Sequence, residues 1–263
     1  MSLISATGRT RRMTRRERPA SRGRPAATPS EDGRSKRGDR VVETYRQLRE
    51  LIVWGKLAPG TRIIETDVAA KLGVSRTPVR SALQRLQQEG YILVSGSGKQ
   101  SRLSVSPLTQ SDARELFAIV SELEGLAARG AAELVWSARE RLARELRRLN
   151  TEISRAVHKA PPDPHEFFDL DQSFHLRFTE AGAGPRLLAM HRAVKPQSER
   201  YVRLYISALI DQIDASVGDH ADVAAAIEAG DAAAAKEAVL RNWRSASDRL
   251  AHVIEKLGER GHW

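Results

Sequence analysis

Residues 41–106 constrain the fold most, because their order of secondary structure is helix, helix, helix and then a hairpin. Three segments place apolar residues at helical spacing, and they end at or beside Gly55, Gly73 and Gly90. Two strand patterns rich in Ile, Leu and Val follow, and a glycine-rich turn at 95–98 separates them. This order predicts a winged helix-turn-helix.

The third of these helices has a defined inner face. Ser75 stands at the N-cap position, and Pro78 lies in the first turn, where its missing N–H breaks no hydrogen bond. The i, i+3, i+4, i+7 spacing predicts that an apolar stripe packs inward, namely Val79, Ala82, Leu83 and Leu86. The opposite face then points outward and consists of Arg76, Thr77, Arg80, Ser81 and Gln84.

The outward face predicts contact with DNA. Arg76 and Arg80 lie one turn apart, and an arginine in the major groove can donate two hydrogen bonds to guanine O6 and N7. Short hydroxyl donors beside the helix N-terminus suit phosphates, since that terminus favours anions. The predicted DNA-contacting residues are Ser75, Arg76, Thr77, Arg80 and Gln84 on the helix, with Lys99 and Arg102 on the hairpin. A solvated basic face without a partner is the alternative interpretation.

The distribution of charge along the chain agrees with DNA binding by its N-terminal part. Residues 1–40 hold 12 Lys/Arg and 4 Asp/Glu, residues 41–106 hold 10 and 5, and the remainder holds 21 and 24. Only the front of the chain is therefore basic, which is typical of a segment that meets a polyanion. Residues 1–40 are rich in Arg, Gly, Pro and Ser, and this composition predicts a disordered basic tail.

Composition excludes several classes of protein. The chain has no cysteine, so disulfides, cysteine-ligated zinc and thiol catalysis are ruled out. No apolar run approaches the ~20 residues of a membrane-spanning helix, and the N-terminus lacks the apolar core of a secretory signal. We therefore expect a cytoplasmic protein without a membrane partner.

Residues 107–263 are helix-forming nearly throughout. The predicted helices cover 110–134, 138–157, 164–181, 185–209, 217–229 and 231–257. Strand patterns are missing from this part of the sequence, so the helices are expected to pack as a bundle. The predicted fold class is mainly α, with an N-terminal winged helix-turn-helix and a C-terminal antiparallel all-helical bundle.

Two regions of the sequence resemble one family of bacterial regulators. The DNA-binding domain of the GntR family is similar to this chain at Leu57-Ala58-Pro59-Gly60, at Leu72 to Arg80 (LGVSRTPVR), at Leu86 and at Glu89-Gly90. The effector domain of its FadR subgroup, of the FCD type, is similar at Glu115-Leu116-Phe117, Leu123-Glu124, Asp171 to His175 (DQSFH), His220 and Gly230-Asp231. The resemblance implies that Arg76 and Arg80 read an operator. It also implies that residues 107–263 sense a ligand and form a homodimer.

Asp171 and His175 are candidate ligands of a metal ion. They are four residues apart, so both side chains leave the same helix face and can share one ion. The resemblance adds His220 and Asn242, the latter at a position where the subgroup has a third histidine. An amide oxygen is a weaker and harder donor than imidazole. Three interpretations remain open: a divalent ion such as Zn, Ni or Mn, a metal-free polar pocket for the effector, and a buried hydrogen-bonded Asp–His pair.

The effector implied by the resemblance is a small organic acid. Arg200 and Arg203 are the candidate residues for its carboxylate, with a solvated helix face as the alternative. The predicted function is a ligand-responsive repressor that releases double-stranded DNA carrying an inverted-repeat operator. Two alternatives belong to other classes: a metal-dependent, hydrolase-like enzyme, and a structural DNA-binding protein that needs no effector.

Overall fold

The computed structural model describes residues 31–96, 101–209 and 214–261. The first 30 residues of the predicted tail, and Lys99 on the hairpin, lie outside the described residues. The N-terminal elements are α1 (Glu31–Val53), β1 (Arg62–Ile63), α2 (Glu65–Leu72), α3 (Arg76–Gln88), β2 (Ile92–Ser95) and β3 (Arg102–Val105).

Helix α1 begins earlier than the sequence pattern indicates. The prediction makes residues 31–40 part of a disordered tail, whereas the structure has them helical, as the start of α1. The reason lies in helix cooperativity, since adding a residue to an existing helix costs far less than starting one. The second half of α1 is anchored by buried Leu48 and Ile52, and the polar residues before it extend that helix.

The N-terminal domain buries the inner face of α3. Val79 and Leu86 are fully buried in one apolar core with Leu48 of α1. The small antiparallel sheet has the strand order β1-β3-β2, and Ile63 of β1 lies opposite Leu103 of β3. The core therefore forces the other side of α3 into solvent, as the helical spacing predicts.

The C-terminal domain is a bundle of helices. They are α4 (Gln110–Ala132), α5 (Trp136–His158), α6 (Pro164–Gly182), α7 (Pro185–Leu209), α8 (Asp214–Ala229) and α9 (Ala232–Leu257). Helix α4 lies in the middle and packs against α6, α7 and α9. The predicted mainly-α class is confirmed. Within the described part of the chain, no helix is both long and apolar enough to span a membrane.

Helices α4 and α6 approach each other closely at two glycines. A Cβ atom on Gly182 of α6 would collide with the backbone of Ala127 and Ala131 on α4, and one on Gly130 would collide with the carbonyl of Gly182. Only glycine leaves room for two helix backbones at this distance. This contact fixes the position of α6, which carries Asp171.

Helix α7 joins the two domains through two arginines. Arg200 is buried, and its Nη2 donates a hydrogen bond of 2.8 Å to the backbone carbonyl of Ser106 at the end of the hairpin. The guanidinium of Arg203 lies between the rings of Trp54, just after α1, and Phe168 on α6, 3.7 and 3.9 Å from their centroids. Both cations therefore bridge elements of different domains.

The chain after α9 returns to the linker between the domains. Leu108 and Arg260 form an antiparallel bridge with backbone hydrogen bonds of 2.8 and 3.1 Å. The N–H of Gln110 also donates to Oε1 of Glu259 at 2.8 Å. The segment after α9 thus binds next to the start of α4, where the bundle follows the N-terminal domain.

Candidate DNA interface and effector cavity

The outer face of α3 is solvent-exposed where the sequence predicts it. Arg76 and Arg80 keep 62% and 58% of their side-chain area exposed, and both project from the same side of the helix. Thr77 and Gln84 are exposed as well. This face presents two cations and two neutral hydrogen-bonding side chains without a covering element among the described residues.

Ser75 occupies the N-cap position of α3 with extended backbone angles (φ −73°, ψ 164°). Its side chain, however, makes no capping hydrogen bond within the described part of the chain, contrary to the expected cap. The first N–H groups of α3 and the exposed Ser75 hydroxyl are thereby left to bind an anion such as a DNA phosphate.

A carboxylate at the start of α2 holds the arginine pair, and the sequence prediction missed it. Nε and Nη2 of Arg80 donate to the two oxygens of Glu65 at 3.2 and 2.9 Å, while Nη2 of Arg76 lies 3.8 Å from Glu65. The hydrogen bond from Arg80 lowers the pKa of Glu65, so the carboxylate stays ionised. The pair orients the Arg80 guanidinium before any DNA arrives.

The hairpin behind α3 places Arg102 at the first position of β3, opposite Ser95 of β2. Its side chain is exposed, which suits the predicted contact with the DNA backbone. Contact between Arg102 and DNA therefore remains a prediction. The predicted contact of Lys99 concerns a residue outside the described ones.

A cavity inside the helical bundle is the candidate effector site. It encloses about 560 Å³ of empty space, its opening to solvent included. Most of its wall is apolar and comes from Phe117, Phe167, Val202, Ile206, Leu209, Trp243, Ala246 and Leu250. The polar lining residues are Asp171, Gln172, His175, Ser216, Asn242 and Arg249. An apolar cleft with a few convergent polar groups is the usual form of a small-molecule site.

Three predicted metal ligands come together beside this cavity. Asp171, His175 and His220 each offer a donor atom, and these atoms all lie within 4.8 Å of one another. Oδ1 of Asp171 is 3.9 Å from Nε2 of His175 and 3.5 Å from Nε2 of His220. The group combines two residues of α6 with His220 of α8. The four-residue spacing within α6 predicts only that Asp171 and His175 lie together.

His220 is buried, and its ring makes no hydrogen bond within the described residues. Its side chain has no exposed area, and its ring stacks on Phe174 with centroids 4.1 Å apart. Among the described residues, neither ring nitrogen has a hydrogen-bond partner. Burial and the neighbouring His175 hold the pKa of His220 well below its usual range, so the ring is neutral. A neutral, buried imidazole with a free lone pair is suited to bind a metal ion.

Asn242, where the subgroup has a histidine, is 4% exposed and lines the cavity next to these residues. Asn242 therefore borders the space that an ion or an effector would fill. Burial raises the pKa of Asp171, which lies in the same wall, so its charged form needs a cation nearby.

The arginine that lines the cavity is not one of the two that the sequence analysis proposed for the effector. Arg200 and Arg203 bind at the domain junction and are not among the described residues that line the cavity, because α7 turns them toward the N-terminal domain. Arg249 of α9 lines it instead, and its Nη2 donates to the hydroxyl of Ser216 at 2.8 Å. Arg249 lies seven residues, or two helical turns, after Asn242 and therefore on the same face of α9. This spacing could have identified it from the sequence.

A winged helix-turn-helix with an exposed arginine pair, joined to a helical domain around a partly polar cavity, defines a DNA-binding regulator. Residues 40–98 match the gntR family of bacterial regulatory proteins, and residues 115–245 match the FCD domain. The chain belongs to the GntR family of transcription regulators with an FCD domain.

Individual proteins are similar over most of the chain. An HTH-type transcriptional regulator from an unstable DNA locus of Streptomyces ambofaciens is 29% identical, over 84% of this chain and 88% of that protein. The HTH-type transcriptional repressor RspR of Escherichia coli is 25% identical, over 81% and 90%. The solved structure of E. coli McbR/YncC has the same fold, with a TM-score of 0.62 and 20% identity over 82% of this chain and 98% of that one. The family and these curated relatives are regulators and not enzymes, which removes the hydrolase-like alternative.

Proposed function

We propose that the protein is a ligand-responsive repressor whose α3 reads an inverted-repeat operator. The observation that carries the proposal is the exposed face of α3, where Arg76 and Arg80 project together beside a free helix N-terminus. Repression, rather than activation, is supported by the similarity to a transcriptional repressor of E. coli.

Binding to the DNA upstream of the protein's own gene tests whether α3 contacts the operator. A bidentate arginine–guanine contact is worth roughly 1–3 kcal/mol, so Arg76→Ala and Arg80→Ala should each weaken binding by roughly 5- to 150-fold. Arg85→Ala is the matched control, because Arg85 is equally exposed on α3 but pairs with Glu89 and stacks over Tyr45. Fluorescence anisotropy with a labelled fragment measures all three. Equal affinity of the wild type and an Arg76→Ala, Arg80→Ala double variant would contradict the proposed role of α3.

We infer that the cavity holds a divalent ion as well as the effector. The residues present fit an ion, because a carboxylate and two imidazoles converge and one of these imidazoles is otherwise unpaired. Asp171, His175 and His220 would hold it, with the Asn242 amide oxygen as a further donor. When bound, such an ion supplies positive charge that attracts a carboxylate.

The effector that suits this cavity is a small organic acid with an apolar part. Arg249 offers a guanidinium for a carboxylate, while the mostly apolar wall accommodates the remainder. Such a ligand releases DNA only if it binds the released arrangement of the domains more tightly than the DNA-bound one. Helix α7 supports this link, because it contributes to the cavity wall through Val202 and contacts the DNA-binding domain through Arg200.

A thermal-shift screen tests the sensory role. Purified protein is tested with hydroxy acids, sugar acids and dicarboxylates, each with chelator, Zn²⁺ or Mn²⁺. Stabilisation by an acid only in the presence of an ion supports the metal-assisted site, and stabilisation in chelator alone supports a metal-free pocket. If no acid changes either the melting temperature or DNA binding, the effector-independent DNA-binding protein is the better description.

A homodimer completes the proposal, because an inverted repeat requires two copies of α3 related by a two-fold axis. Helix α4 offers a surface for the second copy. Ile119 and Leu126 lie two turns apart on its outer side and are 41% and 46% exposed. Single exposed apolar residues are common, but two on one stripe favour an interface.

A further inference from the structure

A fully buried carboxylate lies behind the candidate metal ligands. Glu124 of α4 has no exposed area and is surrounded by donors from three other helices. It accepts hydrogen bonds from Nδ1 of His175 at 2.6 Å, Nε2 of His191 at 2.9 Å and Nε1 of Trp243 at 2.7 Å. The ammonium of Lys195 lies 3.2 Å from the same carboxylate. An interior carboxylate with this many donors is built into the bundle.

The contacts of Glu124 identify both of its oxygens as acceptors. Oε1 lies 3.2 Å from the Lys195 ammonium, which is its counter-ion, and Oε2 accepts from Nε1 of Trp243 at 2.7 Å. Neither of these two groups can accept a hydrogen bond. An ionised carboxylate only accepts hydrogen bonds, so the proton at each contact belongs to its neighbour. Nδ1 of His175 is therefore the protonated nitrogen.

This assignment fixes the nitrogen of His175 that can bind an ion. In a neutral ring with a proton on Nδ1, the lone pair is on Nε2. Nε2 is the atom that faces Asp171, at 3.9 Å. Without Glu124 the ring would be free to carry its proton on either nitrogen, and one of these tautomers has no lone pair toward Asp171.

We propose that Glu124 is a positioning residue of the candidate metal centre, which holds His175 in the metal-binding tautomer and orientation. The inference rests on the metal site proposed above. A carboxylate in this role also makes the imidazole a stronger donor, and loss of such a partner typically weakens metal affinity by about 10- to 100-fold. Trp243, a wall residue of the cavity, is held by the same carboxylate.

The test measures metal affinity of the full chain by competition with a chromophoric chelator, using Zn²⁺ and Mn²⁺. Glu124→Gln should lose at least about tenfold in affinity. Because this change removes the charged carboxylate 3.2 Å from the buried Lys195 ammonium, the double variant Glu124→Gln, Lys195→Met is measured beside it. Glu122→Gln is the control, since Glu122 is on the same helix, is 58% exposed and pairs with Lys236.

A second readout needs no variant at Glu124. Nitrogen-15 NMR of the metal-free wild type, with His175 assigned through its own substitution, reports which ring nitrogen carries the proton. A proton on Nδ1 is expected, and a proton on Nε2 overturns the inference. If the Glu124 variants bind the ion as tightly as the wild type, the inference about Glu124 is also overturned, but the metal site itself is not. A wild-type protein that binds neither ion overturns the metal site, and the role of Glu124 with it.

Discussion

Two candidate metal ligands should respond in opposite ways to the same substitution. His220 and His175 are both buried histidines, but only His175 has a hydrogen-bond partner, Glu124, within the described residues. Replacing either ring by phenylalanine removes an ion ligand. In the metal-free protein, however, His220→Phe should stabilise the fold and His175→Phe should destabilise it.

The expected magnitudes follow from the contacts. A buried polar group without a partner costs about 1–3 kcal/mol, and His220 has two such nitrogens. Phenylalanine keeps the stacking on Phe174, and its larger ring costs about 1 kcal/mol in a packed core. A net gain of at least about 1 kcal/mol remains, which raises Tm by at least roughly 2 °C. His175→Phe removes a hydrogen bond to a charged group, worth about 1.5–3 kcal/mol, and should lower Tm by roughly 3–12 °C.

Thermal unfolding of chelator-treated protein, followed by circular dichroism with and without added Zn²⁺ or Mn²⁺, measures both effects. An ion at 100 times its Kd stabilises the wild type by about 2.7 kcal/mol, and this increase should vanish in both variants. If His220→Phe destabilises the metal-free protein as strongly as His175→Phe, the missing hydrogen bonds of His220 do not cost the fold stability. Retention of the full ion-induced increase by either variant would remove that histidine from the site.

Three further substitutions have defined outcomes. Gly182→Ala should cost about 1–3 kcal/mol or more in unfolding free energy because α4 and α6 must separate, whereas Gly184→Ala, with no described atom within 4 Å of its new Cβ, should leave Tm unchanged in the same melts. Ile119→Glu should give a monomer in light scattering with weaker operator binding, and a variant that stays dimeric removes α4 from the interface. Arg249→Met should abolish the thermal shift with organic acids, while Arg241→Met, on the exposed side of α9, should not.

Features that depend on one segment of the chain could be predicted from sequence. The inner and outer faces of α3 follow from its own apolar spacing, and the bounds of α4 to α9 agree with the predicted helices to within three residues. The pairing of Asp171 with His175 is likewise a property of one helix, since residues four apart share a face.

Features that depend on packing between distant segments could not be predicted from the sequence. Glu65 meets Arg80 only because α2 lies against α3, and Glu124 meets His175 across 51 positions of sequence. Arg200 and Arg203 share the residue type of an anion site, but the orientation of α7 directs them to the domain junction. A sequence pattern shows which residues share a face, and only the fold shows which faces meet.

Hydroxyl-radical footprinting of the upstream DNA tests the central claim most directly. Two protected half-sites are expected on one face of the duplex, about one helical turn or a whole multiple of it apart, and both should be lost in the Arg76→Ala, Arg80→Ala variant. The same protected pattern with that variant, at matched protein concentration and a wild-type Tm, would contradict that claim.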